Sequence, residues 1–549
     1  MTDFSTVPDA PRSDNPDLLA ALAADLLALD YTVDGVAELL GEEAHQALGR
    51  DQTVPAVLVL RESTEPLATV CKLWLLAQDI QNKELSVVLP SLSIETLSLL
   101  GLIEAVPGAD RVRAAIDLRP YGWPADGKGG NDTNLWVASD LGAHQRPGVL
   151  RHDHVLGIGQ ASLTLAQGTI RREVNKALDV GTGCGIQLFH LLQHAKTVVA
   201  TDISVRALAF TRFNLLLNAP ALGLNVGDLE PNDVNPAGNP ERVAPRVSLR
   251  LGSLLEPVAG ESFDLIVSNP PFVITPRHFG EDAGQQFTYR DGGLAGDAIV
   301  ERLVRELPAV LAPGGTAQML GNWEIKTTAN DAGAPVEWSD RPRLWIPEGV
   351  QAWFIQREQV SPGGYAETWL QDASQGRESQ AYVTAYENYV LDFASRAVAG
   401  IGFGYILLRT PAAGEGVPEA RFEEILYPIE QPVGPHLAAA LDRERWLEHR
   451  ESIHDELLVA AEDVTEERHQ RPGAEHPGVI LLRQGAGLRR TNLLSTELAG
   501  FVSASDGDLT VAALIGALAD LLDRPDAEFS RNLYSEVCNL VRDGFLLPA

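Results

Sequence analysis

Between about Asp153 and Thr410 short apolar runs alternate with helix-like stretches, and this alternation restricts the fold more than any other feature of the sequence. Parallel strands need long crossovers, usually helices, so the pattern predicts an α/β fold with a doubly wound parallel sheet. Strands are expected near Lys176–Val180, Thr197–Thr201, Val247–Leu251, Phe263–Ser268, Thr316–Gly321, Val350–Gln356 and Gly402–Leu408. Helices are expected over Gly185–His194, Ser204–Asn218, Leu294–Leu311 and Gln380–Ala399.

A chain of 549 residues exceeds what one core usually supports, so flanking domains are expected. Residues 1–15, rich in Pro, Asp and Ser, read as a disordered lead. Residues 16–150 read as a helix-rich N-terminal domain with helices at Leu18–Leu27, Val33–Gly49, Leu67–Leu76 and Ile94–Leu100. Val54–Leu60 fits a strand or a helix equally. Val112–Leu118 and Leu135–Asp140 are expected to pair as a hairpin across the loop Gly122–Thr133. The central domain covers 151–410. Residues 411–549 form an acidic C-terminal region, winged-helix-like at 490–549, with a strand at Gly478–Arg483, helices at Leu509–Leu522 and Phe529–Arg542, and a closing strand at Gly544–Leu547.

Two motifs carry chemistry. The first predicted strand runs into Asp179-Val180-Gly181-Thr182-Gly183-Cys184-Gly185. Its glycines let the backbone turn tightly against a ligand, and the helix that follows adds N–H groups. Asp179 would repel a pyrophosphate but can pair with a cationic amino-acid moiety. Asp202 ends the next strand, where a carboxylate accepts both hydroxyls of a ribose. Asp202 is alternatively an ordinary helix cap, with Ser204 competing for that role. The second motif, Asn269-Pro270-Pro271-Phe272, closes the fourth strand at the sheet edge where open α/β folds bind ligands. An amide or exocyclic amine is a poor nucleophile because its lone pair is delocalised. Asn269 Oδ1 and the Pro270 carbonyl can orient its two N–H bonds, Pro271 stiffens the turn, and Phe272 lies against the planar group. Alone, Asn-Pro-Pro also reads as a strand breaker.

With these motifs in this order, residues 150–410 resemble the class I S-adenosylmethionine-dependent methyltransferases, whose fold is Rossmann-like and seven-stranded. The Asn-Pro-Pro-Phe run resembles the group that methylates planar nitrogen, namely release-factor glutamine methyltransferases and exocyclic-amine methyltransferases of RNA or DNA. The resemblance implies S-adenosylmethionine as cofactor, bound by Asp179, Gly181, Thr182, Gly183, Gly185, Asp202, Ile203, Ser253 and Asn269, and a protein or RNA/DNA acceptor as partner. Where such enzymes often carry an Asp beside adenine, this chain has Gly252-Ser253-Leu254. The alternative reading is a non-catalytic cofactor-binding or assembly protein.

The remaining features narrow the setting. A formal charge of −32, concentrated at the ends and nearly absent from the middle, opposes generic attraction to phosphate backbones. Cys71, Cys184 and Cys538 lack metal or disulfide spacing, so no structural metal is expected. No apolar run is long enough to span a membrane, which points to a cytoplasmic protein. His152-Asp153-His154 with Gly157–Ser162, and Tyr289-Arg290-Asp291-Gly292-Gly293, are expected as loops beside the site, and most of Trp323, Trp338, Trp345, Trp353 and Trp369 as core or rim packing, with one of them lining a substrate groove.

Overall fold

A computed structural model describes residues 3–124, 132–143, 145–146, 151–229, 245–276, 293–327, 336–372, 380–417, 419–524 and 526–549. The chain forms two compact units. The first holds residues 1–166, 173–410 and 420–423; the second holds 167–172, 411–419 and 424–549.

In the first unit the helices α1 (Pro16–Ala28), α2 (Val33–Leu40), α3 (Glu42–Leu48), α4 (Val54–Leu60), α5 (Pro66–Val70, running on into a π-turn at Cys71–Leu75), α6 (Asn82–Val88) and α7 (Ile94–Leu99) surround a small sheet. Its strands are β1 (Ile80–Gln81), β2 (Ile103–Ala105) and β3 (Arg111–Ala114). Val54–Leu60, open between strand and helix, is helical, with Pro55 in the first turn where its missing N–H costs nothing. The expected hairpin is corrected in part. Arg111–Ala114 pairs with β1 and β2, and only the next strand, β4 (Asp117–Trp123), pairs with β5 (Thr133–Ser139). The lead expected to be disordered is packed instead: Phe4, Ala10 and Ser13 are buried, and the Asp9 carbonyl accepts from Arg206 Nη2 at 2.7 Å.

The central sheet follows through α8 (Gln160–Gly168), β6 (Val174–Val180), α9 (Ile186–Leu191), β7 (Ala195–Asp202), α10 (Val205–Leu217), β8 (Val247–Leu251), β9 (Phe263–Ser268), α11 (Ala298–Glu306), β10 (Leu311–Lys326), α12 (Asp340–Arg343), β11 (Gln351–Val360), α13 (Pro362–Asp372), α14 (Gln380–Ser395), β12 (Val398–Arg409) and β13 (Arg421–Glu424). Its order is β13-β11-β12-β10-β9-β6-β7-β8. The block from β8 to β10 is parallel, and β12 runs antiparallel to both β10 and β11. All seven expected strands are present, and β13 adds an eighth at the edge that the sequence reading did not include.

Residues expected as two domains, 16–150 and 151–410, share one hydrophobic core that runs from Tyr31 and Trp74 through Trp136 to Phe210 and Val267. Helix α10 is buried nearly all round because it covers the sheet on one side and the N-terminal elements on the other. Its Asn214 and Asn218, one turn apart, act as a surrogate strand against β5. Asn214 Oδ1 accepts from Ala138 N at 2.8 Å while its Nδ2 donates to Ala138 O at 3.0 Å. Asn218 repeats the pattern on Trp136, at 2.8 and 2.7 Å. Helical i, i+4 spacing thus matches two residues of extended chain, and an otherwise open sheet edge is satisfied.

The second unit comprises α15 (Gly434–Glu448), β14 (Leu457–Ala460), the antiparallel meander of β15 (Val464–His469), β16 (Val479–Gln484) and β17 (Thr491–Leu494), then α16 (Thr496–Ser503), β18 (Asp506–Thr510), α17 (Val511–Leu521), α18 (Ala527–Asp543) and β19 (Leu546–Pro548). The strands β18, β14 and β19 form a second sheet, and Phe501, Leu514, Val537 and Phe545 lie in this unit's core. Among the described residues no helix is long and apolar enough to cross a membrane.

Candidate active site

The glycine loop and the Asn-Pro-Pro-Phe turn leave the sheet side by side. Val180 at the end of β6 is in register with Ser268 at the end of β9, and Ser268 Oγ donates to the Val180 carbonyl at 2.9 Å. Both segments therefore open at the carboxyl edge of the parallel block, the usual ligand position in such sheets.

In the loop, Gly181, Gly183 and Gly185 have φ of 75°, 58° and 97°, values that a Cβ disfavours. A Cβ built at Gly181 or Gly183 would meet nothing within 4 Å, so both border open space. The N–H groups of Gly181 and Thr182 donate to Thr201 O at 2.9 and 3.0 Å, which fixes the loop to β7. Beneath it lies Asp179, 1% exposed. Its Oδ2 accepts from Thr182 Oγ1 at 2.7 Å, and its Oδ1 is buried with no hydrogen-bond partner among the described residues. Burial pushes this carboxyl up to about 7, assisted by the negative charge of Asp202 and opposed by the Thr182 hydroxyl.

Asp202 Oδ2 accepts from Gly183 N at 3.0 Å and Oδ1 from Ser204 N at 2.8 Å. Burial raises its pKa, and these backbone donors counter the rise. Ser204, not Asp202, is the N-cap of α10, its hydroxyl accepting from Ala207 N at 3.2 Å. Ile203, 60% exposed, presents an apolar face next to Asp202. Gly252 N donates to Asp202 O at 3.0 Å, which brings Ser253 alongside.

Asn269 Oδ1 is buried and has no hydrogen-bond partner among the described residues. The Pro270 carbonyl accepts from Phe272 N at 2.8 Å and so keeps one lone pair. The turn is braced from outside: Asn322 Nδ2 donates to Phe272 O at 2.7 Å, and Ile274 N donates to Tyr365 Oη at 2.7 Å. Neither Asn322 nor Tyr365 was singled out from sequence, because neither lies in a recognisable motif.

A cavity of about 960 Å³ joins these pieces. Gly181, Thr182, Gly183, Asp202, Ile203 and Ser253 line it, as do Asn269, Pro270, Pro271 and Phe272. Asp179 and Gly185 stand behind the wall and do not line it. His154 and Gly157–Ser162 line it too, His154 being buried with Nδ1 3.7 Å from Asp140 Oδ2. Of the tryptophans, Trp369 lines the cavity, whereas Trp323, Trp345 and Trp353 are buried in the core. The wall also includes Asp117, Arg119, Val137 and Ser139 from β4 and β5, which the sequence reading treated only as a connecting hairpin. Tyr289–Gly292 lie outside the described residues. Among the described residues no group of three His, Cys, Asp or Glu is placed to hold a metal ion.

A family described as a domain of unknown function (DUF7059) matches residues 28–115. A protein provisionally named N5-glutamine methyltransferase, from Methanocaldococcus jannaschii, is 27% identical over 212 residues, 37% of this chain and 94% of that protein. The release factor glutamine methyltransferase of Geobacter sulfurreducens is 31% identical over 160 residues, 28% of this chain and 47% of that protein. Ribosomal RNA small subunit methyltransferase C of Alcanivorax borkumensis is 27% identical over 197 residues, 35% of this chain and 47% of that protein. The match thus spans nearly all of the first relative and about half of the other two. With the glycine loop, the acidic strand end and Asn-Pro-Pro-Phe on one cavity, the chain is an S-adenosylmethionine-dependent methyltransferase similar to the glutamine and ribosomal-RNA methyltransferases.

Proposed function

We propose that the chain methylates a planar nitrogen, either the side-chain amide of a protein glutamine or an exocyclic amine of a nucleobase in RNA or DNA, and that a protein acceptor suits it better. The observation that carries this reading is Asn269, whose amide oxygen is buried in a cavity-lining residue and has no partner among the described residues. A buried acceptor left unsatisfied is costly, so it awaits a donor such as an NH₂ group. Asn269 Oδ1 takes one N–H and the free lone pair of the Pro270 carbonyl takes the other. Holding both N–H bonds orients the group and favours lone-pair density on the face turned toward the methyl donor, while Phe272 supports the planar group.

The residues present fit the cofactor. Gly181 and Gly183 leave the open space a ligand needs, Asp179 offers a buried unpartnered oxygen below the loop, and Ile203 offers an exposed apolar platform. Asp202 receives the ribose hydroxyls, Ile203 and Ser253 flank the adenine, and Asp179 acts on the amino-acid end through Thr182 and the local field. S-Adenosylmethionine would supply an electrophilic methyl group there, so a correctly aimed lone pair suffices; the proton that the methylated nitrogen must then lose is acidic enough to pass to water, and no strong base is required. Residues 16–150 and 411–549, the latter winged-helix-like at 490–549, are read as acceptor-recognising flanks. The acidic charge favours a protein over a polyanionic acceptor.

The test is transfer of labelled methyl from the cofactor into extract of the source cells. Wild type should label protease-sensitive material, and Asn269→Ala should lose roughly a hundredfold in rate at saturating cofactor. Equal labelling by wild type and Asn269→Ala would remove the assignment.

A further inference from the structure

The catalytic cavity has a second wall made by the N-terminal elements, and that wall carries a charged pair the cofactor reading does not use. Asp117 and Arg119 stand two residues apart on β4 and both line the cavity. Arg119 Nη2 donates to Asp117 Oδ2 at 2.9 Å. Asp117 is 5% exposed, and its other oxygen, Oδ1, is buried with no partner among the described residues. The Arg119 side chain is 24% exposed and makes no other hydrogen bond among the described residues, so most of its five N–H donors are uncommitted.

We infer that Asp117 and Arg119 form an acceptor-recognition subsite for a carboxamide-type group, a peptide unit of the chain that carries the methylated nitrogen. The inference rests on the methyltransferase reading above and deepens it. A peptide group has one N–H and one C=O on a rigid plane. The unpartnered Asp117 oxygen accepts the first, and the Arg119 fork donates to the second. Such a group is neutral, which matches a pair whose own charges already cancel. A phosphodiester is a poor match, because the described wall sets Arg119 and Arg302 against Asp51, Asp117, Asp140 and Asp202. With both ends of the pair on one strand of a two-stranded ribbon, the donor and acceptor are held at a fixed separation before the substrate arrives.

The test uses the full chain, labelled S-adenosylmethionine, and two acceptor probes from the source cells: RNA-depleted soluble protein and purified total RNA. Asp117→Asn and Arg119→Gln should each raise KM for the protein fraction roughly tenfold, the scale expected when a site loses a hydrogen bond to its substrate. Cofactor affinity by calorimetry should stay within about twofold, because neither side chain is assigned a contact with the cofactor. Arg119→Lys keeps the ion pair but loses the planar fork, so it should restore thermal stability without restoring KM. Unchanged KM in both variants, recovery of KM by Arg119→Lys in step with stability, or labelling confined to the RNA fraction each overturns the subsite. Wild type that labels neither fraction, with Asn269→Ala indistinguishable from it, would instead bring down the methyltransferase reading on which the subsite rests.

Discussion

Asp179 is a carboxyl whose chemistry departs far from its ordinary behaviour. Its place in the sequence, at the end of an apolar strand and before three glycines, was legible, and so was its acidity; its burial was not, because burial comes from Thr182 folding over it and from β7 alongside. A carboxyl with an ordinary value of 3.8 is raised to about 7, mainly by desolvation. Between about pH 4 and 7 the folded protein therefore binds a proton at this group that the unfolded chain has released, so the group's contribution to stability falls as pH rises through that window. Asp179→Asn should accordingly melt higher than wild type at pH 8, with the difference vanishing at pH 4. A cationic ligand favours the ionised form, so cofactor affinity should rise with pH up to about 7 in wild type and be flat in the variant. Calorimetry at pH 6 and 8 reads this directly, and parallel profiles for the two proteins would count against any role of Asp179 charge.

At the scale of elements, the strands of the central sheet were readable because each is a short apolar run punctuated by Gly, Pro or Asp. The break between β3 and β4 was not. Ala114-Ala115-Ile116 holds no Gly, Pro or Asp, and the chain changes sheet there because β5 offers a partner fixed in turn by α10. That support comes from Asn214 and Asn218, which on sequence alone are two polar residues in a helix. Asn214→Leu strands Ala138 N–H, Ala138 C=O and Cys184 C=O in the core, so it should cost about 3 kcal/mol in urea denaturation, against almost nothing for a surface asparagine of the same helix class. A second element-scale device sits across the sheet. Strand β10 and helix α13 meet where Asn322 Nδ2 lies 3.2 Å from Tyr365 Oη, and together they hold Phe272 O and Ile274 N. They touch the turn from behind, so they position rather than react. Asn322→Leu and Tyr365→Phe should therefore lower kcat by roughly tenfold while leaving cofactor Kd in place, and a loss of Kd with kcat unchanged would contradict that role.

For the whole molecule, composition and contact tell different parts of the story. The acidic charge of −32 was plain from the sequence, whereas the joining of N-terminal and central elements was not, because it depends on pairs far apart in the chain. Arg206 is the clearest case: its guanidinium, 6% exposed in the residue as a whole, meets Asp9 O, Asp153 O and both oxygens of Asp140, drawing three segments onto α10. Nothing at Arg206 in the sequence announces such a role, and the lead that it clasps has the composition of a disordered tail. Charge, by contrast, makes a forecast that needs no contact. A polyanionic surface attracts a basic acceptor and repels nucleic acid, and salt screens either effect over about 10 Å at 0.1 M. If the acceptor is a basic protein, raising NaCl from about 50 to 300 mM should increase its KM several-fold through slower encounter, while the enclosed cofactor site keeps its Kd within about twofold. An RNA acceptor would give the opposite slope at low salt, with KM falling as repulsion is screened. The sign of that slope thus reports the class of acceptor from the charge of the whole chain, independently of any residue in the cavity.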